Sequence, residues 1–212
     1  MKNKVLSSNT CAVLGGGKSM SMGLVNAISA NFDTIAINNT GIIAPESIAL
    51  VAQDRKWWGE YGSKLKRSGF NGLVYSCIPV NTNDYTFKIV DSTLKGKILE
   101  GTEAITPNSG ALGIYISSLF YDNILLFGFN MTGDHWFGRY PDGLRNIEDG
   151  SERHKMMFTE FNNVKNIVEK NPRKKIYNCT ENSAIECFNK ISFTDAILMH
   201  DDLSNTKRWR IK

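Results

Sequence analysis

The sequence predicts a single α/β domain, a mostly parallel sheet with helices on both faces. Two observations carry this. Short apolar runs alternate along the chain with stretches of helical periodicity, and glycines and amides gather where the apolar runs stop. At 212 residues, 42% hydrophobic and 22% charged, the chain can bury a substantial core and is short for two domains.

The first element is the apolar run from Cys11 to Leu14, which halts at Gly15-Gly16-Gly17; Leu24 and Ile28 then mark a helix ending near Asn31. That order reads as strand, tight turn, helix start. Residues 34–38 form a compact buried strand, and 48–52 the next one, ending at Gln53 and Asp54. Residues 55–67 read as a helix carrying Trp57, Trp58, Tyr61 and Leu65, and 72–77 as a further strand. The stretch at about 79–106 offers one strand, 85–90, among polar turns, and is where a lid or acceptor-facing insertion is expected. Residues 111–121 form a helix capped by Asn108 or Ser109. Residues 123–129 are the most convincing core strand and lead into a polar and aromatic loop, 130–138. Asp149 and Glu152 stand in capping-box spacing before a helix marked by Met157, Phe161, Val164 and Val168. Residues 174–178 read as a last strand, 183–189 as a short helix and 205–212 as a basic tail.

Composition narrows the setting. A formal net charge of +4 permits an anionic partner without demanding one. Cys11, Cys77, Cys179 and Cys187 form no Cys-x-x-Cys pair, which favours buried thiols in a reducing compartment over disulfides or zinc. No apolar run approaches the ~18 residues needed to span a bilayer, and no signal peptide is visible. The expected setting is cytoplasmic, without a membrane partner.

The triple glycine invites a ligand. Glycines permit positive φ and remove Cβ atoms, so an anion could approach the main chain and the N–H groups opening the following helix. A plain glycine turn explains the same residues without a ligand. Gly17-Lys18-Ser19 supplies the end of a P-loop, but Ala12 stands where its first glycine belongs. The dinucleotide fingerprint fits Gly15 and Gly17, meets Met20 at its third position, and finds Asn38-Asn39 where the acidic residue should close the second strand. A nucleotide or phosphate site of another kind is left.

Ligands of open parallel sheets bind at the carboxyl ends of the strands. Here those ends carry Gly15 to Gly17, Asn38-Asn39, Gln53-Asp54 and Asn130 through His135, with Asn108-Ser109-Gly110 opening a helix. Amides and hydroxyls can bind base, ribose and phosphate without a metal, although a lone Asn serves a turn or cap as readily.

Leu14-Gly-Gly-Gly-Lys-Ser-Met20, Ile37-Asn38-Asn39, Asp54-Arg-Lys-Trp-Trp58, Asn108-Ser-Gly110 and Leu125-Leu-Phe-Gly-Phe-Asn-Met131 followed by His135-Trp136 together resemble the sialyltransferase-like superfamily. That group includes the family-42 sialyltransferases, the motility-associated glycosyltransferases, archaeal hydroxymethylpterin diphosphokinases and compact phage proteins, which this chain resembles most. The resemblance runs from about Cys11 to Ile197 in motif order. It implies a Rossmann-like, metal-independent glycosyltransferase with no cofactor, using a nucleotide-sugar donor, a CMP-sugar ahead of a UDP-sugar. It places Gly15 to Gly17 and Ser19 at the phosphate, Asn38 at the second-strand nucleotide contact and Ser109-Gly110 at the nucleotide. Asn39, Asp54, Asn108 and Asn130 are candidates beside them. Lys18 stands where the family has proline, and Asn130 where many members have Asp.

An acceptor hydroxyl needs a base near neutral pH, and His135, beside Asp134 in the loop after a core strand, is the candidate. Packing among aromatic residues or capping explains His135 equally well; His154 and His200 read as structural. Three classes stay open: a glycosyltransferase, an ATP-dependent diphosphokinase with Mg²⁺ on carboxylates such as Asp54 and Asp134, and a nucleotide-binding module without chemistry. The phage likeness points to a phage-encoded enzyme in the host cytoplasm, with hydroxymethylated DNA as an acceptor that Lys207, Arg208 and Arg210 would contact. A solvated basic tail accounts for those cations too.

Overall fold

β1 (Thr10–Leu14) is buried at every residue because it runs inside an eight-stranded sheet. The structure, a computed structural model, describes residues 9–76, 87–89, 108–144 and 146–208, with 87–89 and 201–208 described in their backbone alone. The expected insertion at about 79–106, apart from 87–89, and Cys77 lie outside the described residues. From β1 the chain steps outward through β2 (Asp33–Ile37), β3 (Ala49–Val51), β4 (Leu73–Ser76) and β5 (Phe87–Ile89). It then returns to the other side of β1 with β6 (Asn123–Phe127), β7 (Lys175–Asn178) and β8 (Asn189–Lys190). The order is β5-β4-β3-β2-β1-β6-β7-β8, and every pair is parallel. This is a Rossmann-like α/β domain, with its reversal of strand order between β1 and β6.

Alternation along β1 divides the core. Cys11 and Val13 pack beneath α4 (Ser109–Phe120) and α5 (Glu152–Val168), with Ile114, Phe161 and Val164. Ala12 and Leu14 face the other way, onto α1 (Met22–Asn31) and α6 (Phe193–Arg208), through Val25, Ile28 and Ala196. Register pairs Leu14 with Ala36 and Ala36 with Leu50, so the cluster around Trp57, Trp58, Tyr61 and Leu65 of α3 (Arg55–Arg67) covers that same second face. Helices therefore lie on both faces, as the sequence predicts.

Four local expectations are corrected. The helix after the glycines starts later than expected: Met20 N donates to Gly17 O at 3.0 Å in a turn, and α1 is capped by Ser21, which accepts from Leu24 N at 3.2 Å. The cap of α5 is Ser151, accepting from His154 N at 3.2 Å, so the Asp149–Glu152 spacing is not a capping box. Residues 183–189 form no helix, because the Ser183 hydroxyl donates to Phe129 O at 2.6 Å and accepts from Ile185 N at 3.1 Å, holding a turn that enters β8. The beginning of the basic tail belongs to α6, and a single helical turn, α2 (Thr40–Ile43), follows β2 unannounced by the sequence.

The thiols of Cys11, Cys179 and Cys187 are free. Burial pushes Cys11 and Cys179 up to about 12 and Cys187 up to about 11, so none is a thiolate near neutral pH. Among the described residues no helix is long and apolar enough to cross a membrane.

Candidate functional site

The carboxyl ends of β1, β2, β3 and β6 rim a cavity of about 800 Å³, within the range of roughly 300–1,000 Å³ usual for small-ligand sites. It gathers Gly15, Gly16, Gly17, Asn38, Asn39, Asp54, Asn108, Ser109, Gly110, Asp134 and His135 from separate parts of the sequence. Ser19 and Asn130 do not line it. Asn130, 2% exposed, accepts from Ser19 N at 3.1 Å and Ser19 Oγ at 2.7 Å and donates through Nδ2 to Glu181 O at 3.2 Å. The pair ties the β1 loop to the β6 loop.

The glycines do something other than expected. None of Gly15, Gly16 and Gly17 has positive φ, and the space their missing Cβ atoms leave is filled by protein. A Cβ on Gly15 or Gly17 would come within 2.6 Å of the Gly128 carbonyl oxygen, and one on Gly16 within 3.2 Å of His135 Nδ1. Two of the three N–H groups are engaged as well: Gly15 donates to Phe127 O and Gly17 to Gly128 O, each at 2.7 Å. The loop is glycine-rich so that two main chains can touch at the point where strand order reverses.

The ends of β2 and β3 differ. Asn38 adopts φ of 50°, in the left-handed region that asparagine tolerates better than most residues. Its side chain hydrogen-bonds the Tyr140 hydroxyl, yet its Oδ1 is buried without a hydrogen-bond partner among the described residues. Gln53 Nε2, at the end of the next strand, is in the same condition, and both residues face the cavity. Neighbours are accounted for: Asn39 accepts from Trp57 Nε1, and Asp54 caps α3 by accepting from Lys56 N at 2.8 Å. Burial, with Tyr61 and Asp54 nearby, raises the Tyr140 hydroxyl above its usual range, so it remains a protonated phenol. Across the cavity Asn108 caps α4, accepting from Gly110 N at 2.9 Å and Ala111 N at 3.3 Å.

His135 reaches the wall through its loop's contact with the glycines. Gly17 and His135 form an antiparallel bridge, Trp136 N donates to Gly16 O at 3.1 Å, and the His135 ring lies parallel to Phe137 with centroids 4.8 Å apart. His135 Nδ1 stands 3.1 Å from Gly16 O, a contact that needs the proton on Nδ1 and leaves Nε2 as the proton acceptor. Burial lowers its pKa below the ordinary 6.5, outweighing the Gly16 carbonyl and Asp134, which act in the opposite direction. The ring is therefore both packed among aromatics and neutral at neutral pH. Asp134 is exposed, 4.0 Å from Arg139.

The sequence missed several wall residues: Tyr140 and Phe137 beside His135, Lys56 in the first turn of α3, and Asp149, Arg153 and His154 where α5 begins. The Trp136-Phe137 and Tyr140 run was the available signal; nothing in the pattern of α5 announced Arg153. Charged groups on the described wall are Lys56 and Arg153 against Asp54, Asp134 and Asp149, so the cavity is not electropositive. Among the described residues no group of three or more His, Cys, Asp or Glu converges as a metal cluster would.

Two of the expected DNA contacts, Lys207 and Arg208, lie away from the cavity. Phe193 packs on Phe127 at the carboxyl end of β6, and His200 on Phe32, just before the amino end of β2. α6 thus runs away from the cavity, and at 1.5 Å per residue its Lys207 and Arg208 lie about 10 Å further along than His200. Arg210 lies outside the described residues.

Fold and site together define a class: an α/β protein with a ligand-sized, amide-lined cavity at the carboxyl ends of a parallel sheet. Compared with protein-family models, curated proteins and solved structures, the chain matches none of them.

Proposed function

We propose that the protein is a metal-independent glycosyltransferase that moves a sugar from a nucleotide-activated donor to a hydroxyl acceptor. The observation that carries this reading is a pair of buried amide atoms without partners among the described residues, an acceptor on Asn38 and a donor on Gln53, on residues that follow the adjacent strands β2 and β3 and line the same cavity. Buried polar atoms without partners are rare and costly, and a base or ribose edge carrying one donor and one acceptor would complete both. The wall's aromatic residues offer stacking surfaces, and its balance of charge suits a donor with few phosphates better than a triphosphate. The sequence resemblance to sialyltransferase-like proteins favours a CMP-sugar, with a UDP-sugar second.

In this reading His135 Nε2 takes the proton of the acceptor hydroxyl as its oxygen attacks the anomeric carbon. The bond from that carbon to the leaving phosphate oxygen breaks, and the nucleotide departs with the electron pair. The test is turnover by mass spectrometry with CMP-, UDP- and GDP-sugars, with and without EDTA. Transfer from one donor class, unchanged by EDTA, is expected; release of AMP from ATP with Mg²⁺ would instead identify a diphosphokinase, and binding without turnover a module without chemistry.

Hydroxymethylated DNA is the acceptor proposed on the phage likeness. Deleting residues 207–212 should then weaken DNA retention and flatten its salt dependence while donor hydrolysis persists. Labelling of a free glycan alone, with no DNA bound at low salt, would remove DNA from the reading.

A further inference from the structure

The stretch carrying His135 is held at three places. Its root is fixed to the turn after β7, where Phe129 N donates to Thr180 Oγ1 at 3.0 Å and Ala184 N to Asn130 O at 2.9 Å. Its tip is fixed to Gly16 and Gly17. Between them Met131 has φ of 54° and Gly133 of 66°, and the described hydrogen bonds of this segment run to the start of α5. His154 Nε2 donates to Met131 O at 2.8 Å, and Gly133 N donates to Asp149 Oδ2 at 2.9 Å. His154 Nδ1 accepts from Gly150 N at 3.0 Å, and its ring stands edge-on to Phe158 at 5.0 Å.

Both nitrogens of His154 are therefore engaged, with the proton on Nε2, so it faces the same cavity as His135 but has no lone pair to offer a substrate. Its carbonyl partner belongs to Met131, a long side chain in a backbone region that L residues avoid. A conformation of that kind persists only where neighbours impose it.

We propose that His154 is a positioning residue for the reaction: it latches Met131 in its left-handed conformation and so fixes the loop that aims His135 Nε2. The proposal rests on reading His135 as the general base. Asp149 makes the second tie but is half exposed, whereas the His154 side chain is 12% exposed and bridges two backbone groups.

Three variants test it. His154→Phe keeps the ring against Phe158 and loses both hydrogen bonds; His154→Gln retains a donor for Met131 O and an acceptor for Gly150 N; His154→Asn is polar and tolerated in a first helical turn but too short to reach Met131. His154→Phe should lower kcat about 10–100-fold with donor KM unchanged, and His154→Gln should restore most of it. In nitrogen-15 spectra of the free protein, the His135 signals should lose the pattern of an Nδ1–H donor in His154→Phe and keep it in His154→Gln. Normal kcat and unchanged His135 signals in folded His154→Phe would overturn the latch. If His154→Phe does not fold, His154→Asn takes its place with the same two outcomes. If the wild-type protein transfers no sugar, the glycosyltransferase reading fails, and the His135 spectra alone decide the latch.

Discussion

The loop after β1 and the ends of β2 and β3 face the same cavity and use their polar groups in opposite ways. At Gly15 and Gly17 the N–H groups are already bonded to the chain leaving β6, and added Cβ atoms would strike backbone. At Asn38 and Gln53 one polar atom each is buried with no partner among the described residues. A glycine-rich turn marks where main chains meet; an unpartnered amide marks where something else is meant to sit.

The largest expected effect falls on His135, which bridges the two regions. His135→Ala should lower kcat by about 10²–10⁴-fold with donor affinity little changed, read from steady-state kinetics beside donor titration calorimetry. The depressed pKa also sets a pH limb. Rate should fall on acidification with a midpoint below the ordinary 6.5, since the protonated ring cannot accept a proton, and this limb should vanish in the variant. The linked stability is complete above the unfolded-chain value and is lost as pH falls from there through the folded value.

Next in size is Gly17→Ala. Its Cβ would overlap the Gly128 carbonyl and Asn130, so a cost of about 1–3 kcal/mol in denaturant unfolding is expected, with nucleotide affinity preserved in the fraction that folds. A stable variant that had lost nucleotide affinity would return the glycines to the phosphate. Gly16→Val should act differently, through the His135 ring it would press, and so should appear in kcat before affinity.

Gln53→Met sharpens the contrast from the other side. Replacing an amide whose Nε2 has no partner among the described residues with an apolar chain of similar length should leave stability equal or higher, yet weaken nucleotide binding about tenfold; equal affinity would disconnect Gln53 from any ligand. The smallest effect is expected for Ser19→Ala, about 0.5–1.5 kcal/mol of stability and no change in affinity, because Ser19 serves Asn130 rather than the cavity.

What the sequence made legible follows from the range of the forces involved. The strands β1, β2 and β6 were readable because central parallel strands, covered on both faces, read as unbroken apolar runs, and the helix α3 because its buried residues recur at helical spacing. So was the gathering of Gly16, Asn38, Asp54 and His135, which follow strands, with Ser109, which opens α4, since parallel topology carries strand ends to one side. The use of the glycines was not readable, because their partners Phe127 and Gly128 lie more than a hundred residues away. Ser183 defeated the expected helix through a single hydroxyl bonded to Phe129, and Ser151 displaced Asp149 as a cap because Asp149 was engaged by Gly133. Gln53 was visible as a strand-end amide; that its Nε2 finds no partner among the described residues depends on neighbours no local pattern specifies.

The bonds from Gly15 and Gly17 to Phe127 and Gly128 carry the ladder of β1 and β6 past the last residues of both strands. In dynamic terms these two glycine amides belong to the central strands. Their exchange with deuterium should be as slow as that of Val13 and Leu126, opening only when the domain unfolds as a whole. A segment composed like the loosest of turns would then be among the last parts of the molecule to exchange.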